Sequence, residues 1–136
     1  MSKSTVISFS REFAKLTFAG NRTPESTDED LQDAFAQLAP YRDGAVFIGH
    51  YAGNSEWERH SQGDEIVYVL DGETTLVLLG EDGEVDHLLQ AGEFIVVPQN
   101  IWHRFKTPKG VKVMTVTPQP TDHSLQHPDS GSTPTT

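Results

Sequence analysis

The sequence predicts an all-β domain, an antiparallel sandwich or barrel, and three observations carry that prediction. Short runs rich in β-branched and aromatic residues follow one another across 45–118: Ala45–Tyr51, Glu65–Leu70, Thr74–Leu79, Glu84–Leu89, Phe94–Val97, Trp102–Lys106 and Val111–Thr117. Turn signals separate them at Gly53-Asn54-Ser55, Asp71-Gly72, Gly80-Glu81-Asp82-Gly83, Ala91-Gly92 and Pro108-Lys109-Gly110. No helix-length periodic segment interrupts the series, which argues against an α/β design. Asp71-Gly72 and the Glu81-Asp82-Gly83 stretch read as hairpin turns, because glycine accepts the positive φ such turns need.

The flanking regions differ in texture. Residues 1–44 read as an N-terminal extension packed on the barrel, with one helix. Thr27 is its N-cap, and Asp28, Glu29 and Asp30 place negative charge in the first turn. Leu31, Ala34, Phe35 and Leu38 recur at helical spacing until Pro40 stops the pattern. Residues 119–136 are polar and Pro-rich with little to bury, so the expectation is a disordered tail in which His123 and His127 are incidental.

Composition narrows the function. The 136-residue chain carries 20 acidic against 10 basic residues, a formal net charge of −10. Such a surface repels phosphate, so no nucleic-acid or anionic-membrane partner is expected. No apolar run is long enough to cross a bilayer, and the first residues lack the apolar stretch of a signal peptide, which points to a cytoplasmic protein. Cysteine is absent, so a metal here must be held by histidines and carboxylates.

Two segments break the β pattern. In Trp57-Glu58-Arg59-His60-Ser61-Gln62-Gly63-Asp64-Glu65, Glu58 and His60 share one face of an extended chain. A tight turn returns Glu65 to that face, while Asp64 points outward. Pro98-Gln99-Asn100-Ile101-Trp102-His103 adds a second imidazole. Two carboxylates in a small apolar lumen cannot both stay ionised without a cation, and a divalent ion resolves the conflict. His50 shares parity with Val46 and Ile48, in the lumen or at its rim. Trp57 and Trp102 wall a pocket or cover the outer sheet.

On these residues the chain resembles the cupins, small jelly-roll (double-stranded β-helix) barrels. Their first motif is Gly, five residues, His-x-His, three or four residues, Glu, six residues and Gly. Here it runs from Gly53 through Glu58-Arg59-His60 to Glu65 and Gly72, with the His-x-His slot one residue early. Their second motif is Gly, five residues, Pro-x-Gly, two residues, His, three residues and Asn. It reads here as Gly92, Pro98-Gln99-Asn100 and His103, with Thr107 in place of the final Asn. Glu58 stands where the family has its first metal-binding His, and Asn100 replaces a glycine, a substitution a left-handed turn tolerates.

The resemblance implies a metal set of Glu58, His60, Glu65 and His103 around a divalent transition metal. The oxygen-rich set tilts the choice to Fe(II) or Mn(II), with Ni(II) or Zn(II) open. Glu58 is a fourth ligand, a catalytic general base, or a rim partner of Arg59 or Arg104. The implied function is a metalloenzyme of dioxygenase, isomerase, lyase or cyclase type acting on a small molecule. The alternative is a non-catalytic cupin that binds or senses a metabolite or metal. A homodimer is expected, since pairing covers exposed strand edges.

Overall fold

The computed structural model describes residues 4–128, and the strands form two facing sheets that share their longest members. In chain order the elements are α1 (Phe9–Ala14), β1 (Ala19–Arg22), α2 (Asp28–Leu31), β2 (Phe35–Tyr41), β3 (Gly44–Asn54) and β4 (Trp57–His60). They continue with β5 (Glu65–Gly80), β6 (Gly83–Gln90), β7 (Phe94–Val97), β8 (His103–Pro118) and β9 (Thr121–Ser124). The jelly-roll barrel is built around β5 and β8, which pair antiparallel along both of their halves.

One sheet joins β7, the first half of β5, the second half of β8, β3 and β2. The other joins β6, the second half of β5, the first half of β8, β4 and β9. Register shifts between Val69 and Asp71 and between Gly72 and Thr75 mark where β5 turns the corner. Asp71-Gly72 is therefore a corner within one strand and not a hairpin. Gly72 adopts φ 78°, and a Cβ there would collide with the Gly110 carbonyl. Glu81-Asp82 is a true hairpin loop, closed by the Gly80–Gly83 pair. Alternation along β5 sends Glu65, Val67 and Val69 inside and leaves Ile66 exposed. Val67, Val69 and Leu76 are fully buried, each contributing about 1.5–3 kcal/mol of transfer free energy.

The N-terminal region departs from its helical reading. Thr27 does cap α2 through a capping box with Asp30, but the helix ends after one turn. Phe35 and Leu38 instead lie on β2, an antiparallel partner of β3. Strand pairing along β3 satisfies a whole row of backbone groups, which outweighs a weak helical periodicity. Residues 35–44 thus belong to the sheet itself. A second helix, α1, packs Phe13 against the domain; its N-cap is Ser8.

The C-terminal expectation also changes. Residues 121–124 form β9, paired residue for residue with β4. Asp122 accepts a two-pronged bond from Arg59 at 2.9 and 3.1 Å, and His127 packs edge-on against Trp57 while pairing with Glu84. Polar residues sufficed because the segment satisfies an exposed strand edge and requires no core of its own. Residues 129–136 lie outside the described residues.

β1 runs parallel to β3, with Arg22 opposite Gly53. Gly53 has φ 115°, and a Cβ would land on the Arg22 backbone. Gly53→Ala should therefore cost about 2 kcal/mol or more, through strained φ and displacement of β1. Urea denaturation measures this, and an unchanged midpoint would rule out that seating.

Candidate metal centre

Three strand ends bring the site together. His60 closes β4, Glu65 opens β5 and His103 opens β8. The second motif's loop is locked onto β4 because Asn100, at φ 67°, donates its backbone N–H to the His60 carbonyl at 2.9 Å. Gln99 clamps the first motif's turn by donating its backbone N–H to Asp64 and its side-chain amide to the Ser61 carbonyl. Asp64 accordingly faces out, as its position before Glu65 requires.

The result is a compact cluster. One ligating atom each from His60, Glu65 and His103 lies within 4.8 Å of the others, and all three residues are buried. Glu65 Oε1 is 3.0 Å from His103 Nε2 and 3.3 Å from His60 Nε2. Glu65 Oε2 accepts a 2.6 Å bond from the Thr117 hydroxyl. His103 Nδ1 lies 2.9 Å from the Ile101 carbonyl, which can only accept, so that ring nitrogen carries a proton. His60 Nδ1 lies 3.0 Å from the Thr121 hydroxyl, which donates onward to Gln119 and accepts from the ring.

These second contacts fix the chemistry of the cluster. With Nδ1 protonated, each neutral imidazole turns a bare Nε2 toward the same carboxylate oxygen. His60 Nε2 is buried without a hydrogen-bond partner. Two lone pairs facing an anionic oxygen require a cation, either an added ring proton or a metal ion. Burial pushes the Glu65 carboxyl up, but the facing imidazoles of His103 and His60 outweigh it and hold it down to about 2. Burial pulls His103 down, and the bond and charge of Glu65, with the more distant charge of Glu58, outweigh that and raise it. The donor set therefore fits a divalent transition metal: two imidazoles with tied Nδ1 atoms and one ionised carboxylate.

The other expected residues divide. Glu58 lies outside the close cluster, yet it pairs in register with His103 and lines the same cavity as His60 and Glu65. Its suggested rim partners are engaged elsewhere: Arg59 holds Asp122 and stacks on Trp102, while Arg104 lies over Trp57 and near Glu84. The two tryptophans thus cover the outer sheet. The odd-numbered residues Phe47 and Tyr51 line the cavity, so His50 has the opposite parity and sits outside against Phe18. Ile48, on that outer face, is also buried, which hides the parity from the sequence.

The cavity measures about 750 Å³. Much of its wall comes from residues that sequence reasoning passed over, among them Arg22, Phe35, Tyr51, Thr117 and Thr121. Only their placement by β1, β2 and β9 reveals them; no local motif announces them.

A family model described as "Cupin domain" matches residues 48–117, just over half of the chain. The chain belongs to the cupin family. This cupin is 36% identical over 64 residues to the acireductone dioxygenase of Bacillus subtilis (strain 168), a stretch covering 46% of this chain and 36% of that protein. The aligned stretch thus spans about a third of that curated relative. The fold is similar to a cupin-2 domain protein from Shewanella frigidimarina, with TM-score 0.61, 23% identity, and coverage of 84% of this chain and 95% of that one. It is also similar to a hydroquinone 1,2-dioxygenase in complex with Cd2+ and 4-hydroxybenzonitrile, with TM-score 0.52, 21% identity, and coverage of 62% and 63%. Among the described residues no helix is long and apolar enough to cross a membrane.

Proposed function

We propose that this cupin is a metal-dependent enzyme acting on a small oxygen-rich molecule. One observation carries the reading: two imidazoles with tied Nδ1 atoms and one carboxylate converge on a cavity of about 750 Å³. His60, Glu65 and His103 would hold the ion, and a two-histidine, one-carboxylate set favours Fe(II), with Mn(II) next. When bound, such an ion supplies a Lewis acid that polarises a substrate oxygen. Glu58, in the cavity but outside the close cluster, takes or returns the substrate proton as a general base. Phe47 and Phe105 exclude water from that transfer. The identity to a protein named acireductone dioxygenase supports the dioxygenase member of the set over isomerase, lyase or cyclase. For the assembly we propose a homodimer, supported by exposed Phe94 and Val96 on the edge strand β7.

Elemental analysis of protein purified without chelator, beside a Glu58→Gln variant, tests the reading. Both should hold about one iron or manganese per chain. In an oxygen-electrode screen of enediols and hydroxy acids the variant should lose on the order of 100- to 10,000-fold in turnover. Loss of metal in Glu58→Gln would make Glu58 a ligand instead. No metal in the wild type after anaerobic reconstitution would overturn the enzyme reading.

A further inference from the structure

The cavity wall formed by the N-terminal segment carries an unpaired cation. Arg22 ends β1, is half-buried and lines the same cavity as Glu58, His60 and Glu65. Its guanidinium lies 4.6 Å from the Tyr51 ring centroid and 5.1 Å from that of Phe35. Among the described residues no carboxylate comes within ion-pair distance of it, although the chain has 20 acidic residues. Stacking engages the face of a guanidinium and leaves its N–H donors, which lie in the plane, free to bond at the edge. Beside it, the Tyr51 hydroxyl is buried and has no well-formed hydrogen bond, with the Thr107 hydroxyl and the Arg22 guanidinium as its polar neighbours. A half-buried cation and a buried hydroxyl, both lacking acceptors, are costly unless something supplies them.

We propose that this wall recognises the carboxylate of a small, flat acid, with Arg22 as its charged donor and Tyr51 as its neutral one. A planar carboxylate matches the fork of a guanidinium and has lone pairs to spare for the hydroxyl. Phe47, Phe105 and Val113 give the body of the acid an apolar surface. None of the four acidic residues lining this cavity supplies the missing acceptor: Glu65 is engaged by His60 and His103, and Asp28 makes no ion pair with Arg22. Glu56 is paired with His123, and Glu58 makes no ion pair with Arg22. The inference deepens the proposed function by naming its substrate class and rests on reading the cavity as the substrate site.

Calorimetric titration of metal-free protein with benzoate, and with benzamide as its neutral counterpart, keeps the two readings apart. Wild type should prefer benzoate by about tenfold, the worth of one charge-assisted contact. Arg22→Met should erase that preference, and Arg22→Lys should keep most of it. Tyr51→Phe should reduce benzoate affinity by about threefold. Arg22→Met should also load metal like wild type, which a collapsed cavity would not do. Equal binding of the two probes by wild type overturns the inference, and this comparison decides the matter even if Arg22→Met fails to fold. A benzoate preference that survives Arg22→Met but vanishes in His60→Ala/His103→Ala also overturns it, because the imidazoles would then hold the anion. Wild type that takes up no metal yet prefers benzoate, in an Arg22-dependent way, supports the carboxylate site and removes the metalloenzyme reading.

Discussion

Removing residues 119–136 should lower the melting temperature by about 10 °C. The deletion strips β9 from β4, the Arg59–Asp122 pair from the outer face and the Thr121 hydroxyl from His60. Counting these at a net 0.5–1.5 kcal/mol per hydrogen bond, with partial compensation by water, gives roughly 3 kcal/mol. For a domain of this size that corresponds to about 10 °C. Differential scanning calorimetry provides the check, and a shift below about 3 °C would contradict a docked strand. Thr121→Val isolates the effect on the site from the effect on the fold. It leaves β9 paired but removes the acceptor that orients His60, and should weaken metal binding by about 10- to 100-fold.

The second large effect is on the metal itself. His60→Ala/His103→Ala should reduce bound metal from about one per chain to none, with the β circular dichroism retained. A ligand present at a hundred times its dissociation constant stabilises by about 2.7 kcal/mol, so added Fe(II) or Mn(II) should raise the wild-type melting temperature by several degrees. The variant should show no such rise. Full metal retention by the double variant would refute the site. Removing both rings together avoids leaving one of them facing Glu65 alone.

His60, Glu65 and His103 were legible in the sequence because they stand at the motif positions through which the chain resembles the cupins, Glu65 also as a polar residue opening an apolar strand. Asn100 was legible for a local reason, as a residue suited to the left-handed turn it makes. The long strands were not. β5 and β8 each turn a corner through glycine-containing stretches, and along the chain such a corner looks the same as a hairpin. β2 was misread because four apolar residues fit a helical period as well as an edge strand, and only the partner β3 decides between them. β9 has no apolar signature at all, since hydrogen bonding to β4 and ionic contacts hold it. Arg22 and Tyr51 come together only when β1 lies down beside β3, a parallel pairing that leaves no local trace.

Gly53 admits β1 to the cavity at one end of the chain, and Thr121 reaches His60 from the other. The matched cupin core supplies His60, Glu65 and His103, whereas Arg22 and Thr121 come from outside residues 48–117. The candidate metal cluster thus lies within the matched core, while a flanking segment on each side completes the cavity wall or orients one of its imidazoles. Under the proposed recognition by Arg22, changes in β1 would alter what the cavity accepts while His60, Glu65 and His103 stay in place, whereas changes in β9 reach the cluster through Thr121. Exchanging β1 between such proteins would then show whether recognition travels with that strand while the three-residue cluster remains.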